Sequence, residues 1–180
     1  MLLESSKSAL LIVDIQQALL PAMARPDQVV RGAERLMRAA LRLDVPVLVS
    51  EQYPKGLGAT VPELRSLAPD GAVMEKLDFS CVADPSIRAR LQALPRPQIV
   101  VAGIEAHVCV LQTAMQLRES GWSPFVVADA TASRRDSDHQ AALARLAATG
   151  VAVGSVEMVL FEWLRRAGTP EFKDVSKLIK

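Results

Sequence analysis

The stretch IVVAGIEAHVCVLQTAMQL, residues 99–117, contains the pattern that decides the fold. Residues 99–102 form an apolar run typical of a buried strand, residues 103–106 predict a turn, and from His107 onward apolar residues recur at helical spacing. A strand that passes through a turn into a helix is the basic unit of an α/β protein. The pattern also places Cys109 in the first helical turn, where unpaired N–H groups and the helix dipole favour negative charge. We therefore expect a thiol that loses its proton easily and acts as a nucleophile.

The same alternation of apolar runs and amphipathic segments extends along the whole chain. Strands are predicted at residues 9–13, 45–49, 73–75, 99–102, 125–128 and 151–153. Helices are predicted at residues 27–43 with Asp27 as N-cap, 85–94, 107–120, 138–149, 155–166 with Ser155 as cap, and 170–179. Continuously apolar strands are typical of a parallel sheet that is covered on both faces. The sequence therefore predicts an α/β protein with a three-layer Rossmann-like fold, a central, mainly parallel sheet flanked by helices, in a single domain over residues 1–180.

Polar residues follow several of the predicted strands. Asp14 comes directly after the first strand, residues 51–53 follow the second, and Lys76 follows the third. Cys109 comes shortly after the fourth strand and Asp129 directly after the fifth. The carboxyl ends of parallel strands meet at one edge of the sheet, where ligands bind. The sequence therefore predicts that these side chains lie close together.

Each candidate also has a purely structural interpretation. Cys109 can be a small buried hydrophobe, Asp14 can cap the turn that follows it, and Lys76 can be a solvated surface lysine. A Cys–His dyad is poorly supported, because His107 lies two residues from Cys109 on the same helix and such side chains do not face each other. His139 begins a different helix. Asp14 is therefore the candidate base, and Lys76 would stabilise the anionic forms of both partners.

Composition excludes several other classes of protein. The chain has 180 residues with 21 Lys plus Arg and 20 Asp plus Glu, a net charge of +1, which gives no electrostatic case for nucleic acid or for an anionic membrane. No apolar run approaches the roughly 20 residues needed to span a bilayer, and no secretory signal is visible at the N-terminus. The two cysteines, Cys81 and Cys109, are then expected to be free thiols in a reducing, cytoplasmic compartment. No G-x-G-x-x-G follows the first strand, so no dinucleotide cofactor is expected.

Three motifs in this order resemble the isochorismatase-like cysteine hydrolases, a family that includes nicotinamidases and N-carbamoylsarcosine amidases. They are LLIVDIQ at residues 10–16, MEK at residues 74–76 and GIEAHVCV at residues 103–110. The resemblance extends over nearly the whole chain. It is strongest to the small isochorismatase domain-containing proteins, through EQYPKGLG at residues 51–58, EKLDFSC at residues 75–81 and the tail PEFKDVSKLIK.

The resemblance implies a catalytic triad of Asp14, Lys76 and Cys109. It also implies a non-proline cis peptide bond between Ile104 and Glu105, and an oxyanion hole made by the backbone N–H groups of Glu105 and Cys109. In that mechanism Asp14 takes the thiol proton and the sulfur attacks a carbonyl carbon, so that a thioester forms and is then cleaved by water.

Further properties are expected from the same resemblance. Metal-dependent relatives carry an Asp-x-His arrangement near the end of the second strand, but here that region has no histidine, so we expect no metal and no cofactor. The candidate pocket residues are Leu19, Tyr53, Phe79 and His107. We expect a homo-oligomer, a dimer or a tetramer, with the apolar segment at residues 156–164 as a candidate contact between subunits.

The function that follows is hydrolysis of a small amide or a related C–N carbonyl compound by a metal-free cysteine hydrolase. Two alternatives stay open at this point. One is hydrolysis of an ether or an imine led by Asp14, with Cys109 secondary. The other is a non-catalytic member of the fold that serves oligomeric or partner binding. A reactive Cys109 predicts faster alkylation than at Cys81, with Asp14→Asn slowing it.

Overall fold

The computed structural model describes residues 2–179 and is built around one six-stranded sheet. All five pairs of neighbouring strands are parallel, and the strand order is β3-β2-β1-β4-β5-β6. The strands are β1 (Ser8–Val13), β2 (Val47–Gln52), β3 (Val73–Lys76), β4 (Gln98–Ile104), β5 (Ser123–Ala132) and β6 (Ala152–Gly154). The predicted α/β fold with a central parallel sheet is therefore confirmed.

Helices connect the strands and cover both faces of the sheet. They are α1 (Pro26–Arg42), α2 (Pro54–Leu57), α3 (Pro62–Arg65), α4 (Pro85–Gln92), α5 (Leu111–Glu119), α6 (Asp136–Ala148), α7 (Val156–Leu164) and α8 (Pro170–Val175). A π-helical turn, Ala106–Val110, precedes α5, and short 3₁₀ turns lie at Ser5–Lys7, Leu20–Ala22 and Ser176–Ile179. Within residues 2–179 no helix combines the length and the apolar character needed to cross a membrane.

Two hydrophobic clusters form the core, one on each face of the sheet. One face packs against α1 and α7, with Leu36 and Leu160 among its buried side chains. The other packs against α4, α5 and α6, with Leu91, Leu117 and Leu146 buried there. Alternate residues of β1 belong to opposite clusters, which explains why the strand is apolar throughout.

The structure corrects several predicted boundaries. The stretch at residues 51–69, in which no strand or helix was predicted, contains the end of β2 and two short helices. Helix α1 begins at Pro26 after Arg25, so Asp27 lies inside the first turn and is not the N-cap. A proline is favoured at the first helical position, because its missing N–H would be unpaired there in any case. Ser155 caps α7 as predicted, since its hydroxyl accepts a hydrogen bond from the N–H of Met158.

Strand β4 continues two residues beyond its predicted end, through Gly103 and Ile104. Gly103 pairs with Val13 of β1 and has a φ of 133°. A Cβ atom at this position would overlap the backbone of Val13, so only glycine fits. This close approach brings the ends of β1 and β4 side by side.

Strand β5 also extends further than predicted, to Ala132. Its pairing with β4 shifts register between Val101 and Gly103 and then resumes at Thr131 and Ala132. The predicted strand ended at residue 128 because the apolar run stops before Asp129, whereas the pairing with β4 resumes beyond that residue. Asp129 consequently lies inside β5 and not beyond its end.

Candidate active site

The candidate site lies where the strand order reverses direction. Connections run outward from β1 to β3 on one side and from β4 to β6 on the other, so the ends of β1 and β4 flank a crevice. Parallel sheets bind ligands at such a switch point, beyond the carboxyl ends of the strands. Asp14 follows β1 and Cys109 follows β4 within the π-helical turn. The fold therefore brings together two residues that are 95 positions apart in the sequence.

Asp14 ends β1 in the left-handed conformation, with a φ of 53°. Aspartate tolerates this region better than most residues, because its short polar side chain forms local hydrogen bonds. The N–H of Asp14 still donates to the carbonyl of Ser50, so the residue remains attached to β2. The Ser50 hydroxyl donates to Asp14 Oδ1 at 2.7 Å, which fixes the orientation of the carboxylate.

The ammonium of Lys76 contacts both the carboxylate of Asp14 and the thiol of Cys109. Its Nζ lies 2.7 Å from Asp14 Oδ2 and 3.7 Å from Cys109 Sγ. The side chains of Asp14 and Lys76 are completely buried. The predicted convergence of these three side chains is thus present in the structure, although their catalytic roles stay a prediction.

The charged form of Lys76 is stabilised despite its burial. Burial alone would lower the pKa of the ammonium, but the opposing effects, of which the negative charge of Asp14 is the largest, outweigh burial and raise that pKa. Lys76 therefore stays positively charged, and the buried pair of ammonium and carboxylate is neutral as a whole.

The expectation that Cys109 loses its proton easily is wrong for the resting site. Burial, the negative charge of Asp14 and a hydrogen bond to Asp14 raise the pKa of the thiol, and the nearby charge of Lys76 only partly offsets them. The π-helical turn places the sulfur beside a carboxylate, and the sequence pattern alone could not reveal that neighbour. Cys109 is thus a protonated thiol beside a fixed base at rest.

This arrangement allows a proton to move without a change of net charge. Transfer from Cys109 to Asp14 converts a thiol and a carboxylate into a thiolate and a carboxylic acid, next to the same ammonium of Lys76. The group as a whole stays neutral, so no additional net charge is buried. The site can therefore form its nucleophile at the moment of attack.

The turn after β4 is held by contacts at Glu105. The peptide bond between Ile104 and Glu105 is cis. The carbonyl of Glu105 accepts hydrogen bonds from the N–H groups of Val108 and Val110, which closes the π-helical turn. The Glu105 side chain is nearly buried, and its Oε1 lies 2.8 Å from Arg134 Nε in an ion pair whose geometry is not that of a hydrogen bond. Arg134 Nη2 donates to the other carboxylate oxygen at 3.3 Å.

A cleft of about 440 Å³ lies next to the buried site. Residues that line it are Tyr53, Lys55, Glu75, Lys76, Leu77 and Asp78. Cys109 does not line this cleft, so the cleft reaches the site through Lys76. Cys109 itself is buried, with 5% of the residue exposed.

The four candidate pocket residues lie in different environments. Tyr53 lines the cleft and is half exposed. Leu19 packs against the core, and Phe79 is exposed while its carbonyl accepts a hydrogen bond from Lys76. His107 is held by a 2.8 Å hydrogen bond between its Nδ1 and the hydroxyl of Ser133. The structure thus places only Tyr53 of the four in the cleft.

Other polar residues singled out from the sequence have structural partners. Glu51 is buried and accepts hydrogen bonds from Thr60 and Arg65, which fastens the segment that contains α2 and α3. Asp129 accepts a hydrogen bond from the N–H of Val156 at the start of α7. His139 is half-buried and bonded to the hydroxyl of Thr131. Across residues 2–179, no group of three or more His, Cys, Asp or Glu side chains is placed to hold a metal ion.

Stability at high pH provides a first test of the buried thiols. Cys81 is completely buried, and burial followed by the charge of Asp14 raises its pKa from 9.0 to about 11. A raised pKa means that the folded protein keeps a proton that the unfolded chain releases, so stability is complete below pH 9 and is lost as the pH rises toward 11. We expect the free energy of unfolding to fall by on the order of 2 kcal/mol across this window on account of Cys81.

Urea unfolding at a series of pH values measures this effect. The Cys81→Ala variant should be less stable at pH 8 because of the cavity it leaves, but its stability should fall less steeply with pH. Equal slopes for the wild type and Cys81→Ala would contradict the prediction.

The chain is similar to known proteins over almost its whole length. A sequence model described as Isochorismatase domain matches residues 8–158. Isochorismatase domain-containing protein 2 of Danio rerio is 38% identical over 180 residues, which cover 98% of this chain and 89% of the relative. Isochorismatase domain-containing protein 1 of the same organism is also 38% identical, over 99% of this chain, but this chain spans only 62% of that relative's length.

A solved structure has the same fold over almost the full length. The structure described as MAR1 ribonuclease from Caenorhabditis elegans superimposes with a TM-score of 0.93 at 33% sequence identity. The match covers 99% of this chain and 92% of the other.

Proposed function

The chain belongs to the isochorismatase family, and from this premise we propose that it is a metal-free cysteine hydrolase that cleaves a small amide or a related C–N carbonyl compound. The family has a hydrolase fold. One observation carries the proposal. The ammonium of Lys76 lies 2.7 Å from the Asp14 carboxylate and 3.7 Å from the sulfur of Cys109, in a buried site at the switch point of the sheet.

In the proposed reaction the thiol proton of Cys109 passes to Asp14 as the sulfur attacks the carbonyl carbon. The N–H groups of Glu105 and Cys109 stabilise the oxygen of the tetrahedral intermediate. Asp14 then gives the proton to the leaving nitrogen, the C–N bond breaks and a thioester remains. Asp14 next takes a proton from water, the hydroxide adds to the thioester carbonyl, and the proton returns to sulfur when the C–S bond breaks.

Lys76 has an electrostatic role in this sequence of steps. Its charge offsets the carboxylate at rest and the thiolate during attack, so the same neighbour stabilises both anionic forms. The ammonium also occupies the space beside Asp14, and both histidines are bonded to hydroxyl groups. These contacts support a reaction in which the chain's own residues supply all the charge stabilisation.

The size of the cleft favours a small substrate. A volume of about 440 Å³ lies at the lower end of the range found for small-molecule sites, which is roughly 300–1,000 Å³. Because the relative from Caenorhabditis elegans is described as a ribonuclease, RNA is the most informative alternative substrate to include in a screen. The net charge of +1 provides little attraction for a polyanion.

Two further properties belong to this proposal. We expect a homo-oligomer, a dimer or a tetramer, and light scattering after size-exclusion chromatography would measure its mass. We also expect the protein to act in the cytoplasm, where a reducing environment keeps its two free thiols reduced.

A substrate screen tests the proposed function. The purified chain would be incubated with a panel of small amides, ureides and esters, and with RNA, in the presence and absence of EDTA. We expect turnover of at least one C–N carbonyl compound, with equal rates with and without EDTA and no turnover by Cys109→Ala. Loss of activity in EDTA would contradict the metal-free mechanism. Turnover by Cys109→Ala of an ether or imine would favour chemistry led by Asp14, and the absence of any turnover would favour a binding role.

A further inference from the structure

The ammonium of Lys76 makes three hydrogen bonds to oxygen. Its acceptors are Asp14 Oδ2 at 2.7 Å, Gln52 Oε1 at 2.7 Å and the carbonyl of Phe79 at 3.0 Å. An ammonium has only three protons to share among its acceptors. The sulfur of Cys109 is a fourth acceptor at 3.7 Å, so it competes with these oxygens for the protons of Lys76 and makes the longest of the four hydrogen bonds.

Both backbone groups of Gln52, its N–H and its carbonyl, bond to the side chain of Gln16. Its N–H donates to Gln16 Oε1 at 2.7 Å, and its carbonyl accepts from Gln16 Nε2 at 2.9 Å. Gln16 is completely buried, and its Nε2 also donates to the carbonyl of Gly58. The side-chain amide of Gln52 donates in turn to the carbonyl of Leu77 at 2.8 Å. This bond orients the amide so that its oxygen faces Lys76.

We propose that Gln52 is a positioning residue that competes with Cys109 for an N–H of Lys76, and that it thereby weakens the hydrogen bond from the ammonium to the sulfur and keeps the thiol neutral until substrate is attacked. A neutral acceptor suits this task, because it accepts a hydrogen bond from the ammonium without adding a charge to the site. The inference rests on the proposed function only in treating Cys109 as the nucleophile. It deepens that function by explaining how a buried thiol beside an ammonium is kept in its neutral form.

Two substitutions at Gln52 are expected to change the thiol in opposite directions. In Gln52→Met the strong acceptor is lost, and the freed N–H of Lys76 can turn to the sulfur and stabilise the thiolate. In Gln52→Glu an acceptor remains, but a negative charge is added next to the site, which disfavours the thiolate. The charged and titratable groups that act on Cys109 are Asp14, Lys76 and Cys81, and these stay unchanged in both variants.

Alkylation by iodoacetamide measures this effect without a substrate. The rate at Cys109 would be followed by peptide mass spectrometry between pH 6 and pH 10 in the full chain, with Cys81 monitored separately. We expect Gln52→Met to react several-fold faster than wild type at pH 8 and Gln52→Glu to react about tenfold more slowly, a shift of about one pKa unit. Gln92→Glu adds the same charge at an exposed position at the end of α4 and should leave the rate unchanged.

The opposite changes in alkylation rate distinguish a positioning role of Gln52 from a general loosening of the site. A variant that merely opens the structure would speed alkylation in both cases, and thermal unfolding would show that loss of stability. Rates that move in the same direction in both variants, or that do not change, would overturn the proposal. Opposite shifts in a protein that cleaves no member of the substrate panel would support the role of Gln52 and count against the hydrolase function.

Discussion

The Asp14→Asn variant is expected to lose hydrolysis by about 10²- to 10⁴-fold, the range attributed to a general acid–base group. The amide keeps the size of the carboxylate and can still bond to Ser50 and Lys76, but it cannot accept the proton of Cys109. Initial rates with the best substrate of the panel, compared with wild type and Cys109→Ala, would measure the loss. The value of kcat should fall while KM changes little, because the base acts on the nucleophile and not on binding.

The same variant should make the thiol of Cys109 easier to ionise. With Asp14 neutral, the charge that raises the pKa of this thiol is gone and the positive charge of Lys76 remains. Alkylation of Cys109 in Asp14→Asn should therefore be faster than in wild type at neutral pH. This reverses the expectation from sequence, in which Asp14 only promoted loss of the proton and its substitution slowed alkylation.

The hydrolysis and alkylation rates of Asp14→Asn together distinguish two roles for Asp14. One is a base that accepts the thiol proton in turnover, and the other is a charge that only raises the pKa of Cys109. Slower hydrolysis together with faster alkylation supports Asp14 as the proton acceptor in turnover. Hydrolysis that rises along with alkylation would mean that the free thiolate limits the rate, and the proposed role of Asp14 would be wrong.

The Lys76→Met variant is expected to lower the free energy of unfolding by about 3–5 kcal/mol, the usual result of removing one partner of a buried ion pair. Lys76 and Asp14 are both completely buried and 2.7 Å apart, so the substitution leaves the Asp14 carboxylate without its counter-charge. Chemical denaturation at pH 8 would measure the difference. The deficit should shrink at acidic pH, because the remaining carboxylate then takes a proton and no longer buries a charge.

Two matched variants show whether charge causes this effect. Asp14→Asn combined with Lys76→Met removes both charges and should recover most of the lost stability. Lys7→Met removes an exposed lysine that pairs with Glu4 at 3.0 Å, and it should cost less than about 1 kcal/mol. A double variant as unstable as Lys76→Met alone would attribute the loss to packing and not to the unpaired carboxylate.

Much of the fold could be predicted from the sequence. The continuously apolar strands indicated a covered parallel sheet, and the order of strands and helices placed Asp14, Lys76 and Cys109 at one edge of it. The prediction was weakest where tertiary contacts decide the structure. Strand β4 passes through Gly103 because β1 lies directly against it, and β5 continues past Asp129 because its pairing resumes after a register shift. Neither contact leaves a periodic signal in the local sequence.

The polar residues that surround the triad were also missed by the sequence analysis. Ser50, Gln52 and Gln16 follow or end apolar strands just as Asp14 does, so their positions gave a signal that they share the same edge of the sheet. Their roles depend on which atom each side chain bonds to, and spacing does not reveal this. The ionisation of Cys109 was predicted incorrectly for the same reason, since the position in a helical turn was visible and the carboxylate beside the sulfur was not.

The central claim is that Cys109 forms a covalent thioester during turnover, and rapid-quench mass spectrometry tests it most directly. The chain would be mixed with p-nitrophenyl acetate, quenched in acid and digested. We predict an acetyl group on Cys109 and none on Cys81, released by hydroxylamine and lost with time in wild type. Rapid ester hydrolysis that never labels Cys109, and that continues in Cys109→Ala, would contradict the account.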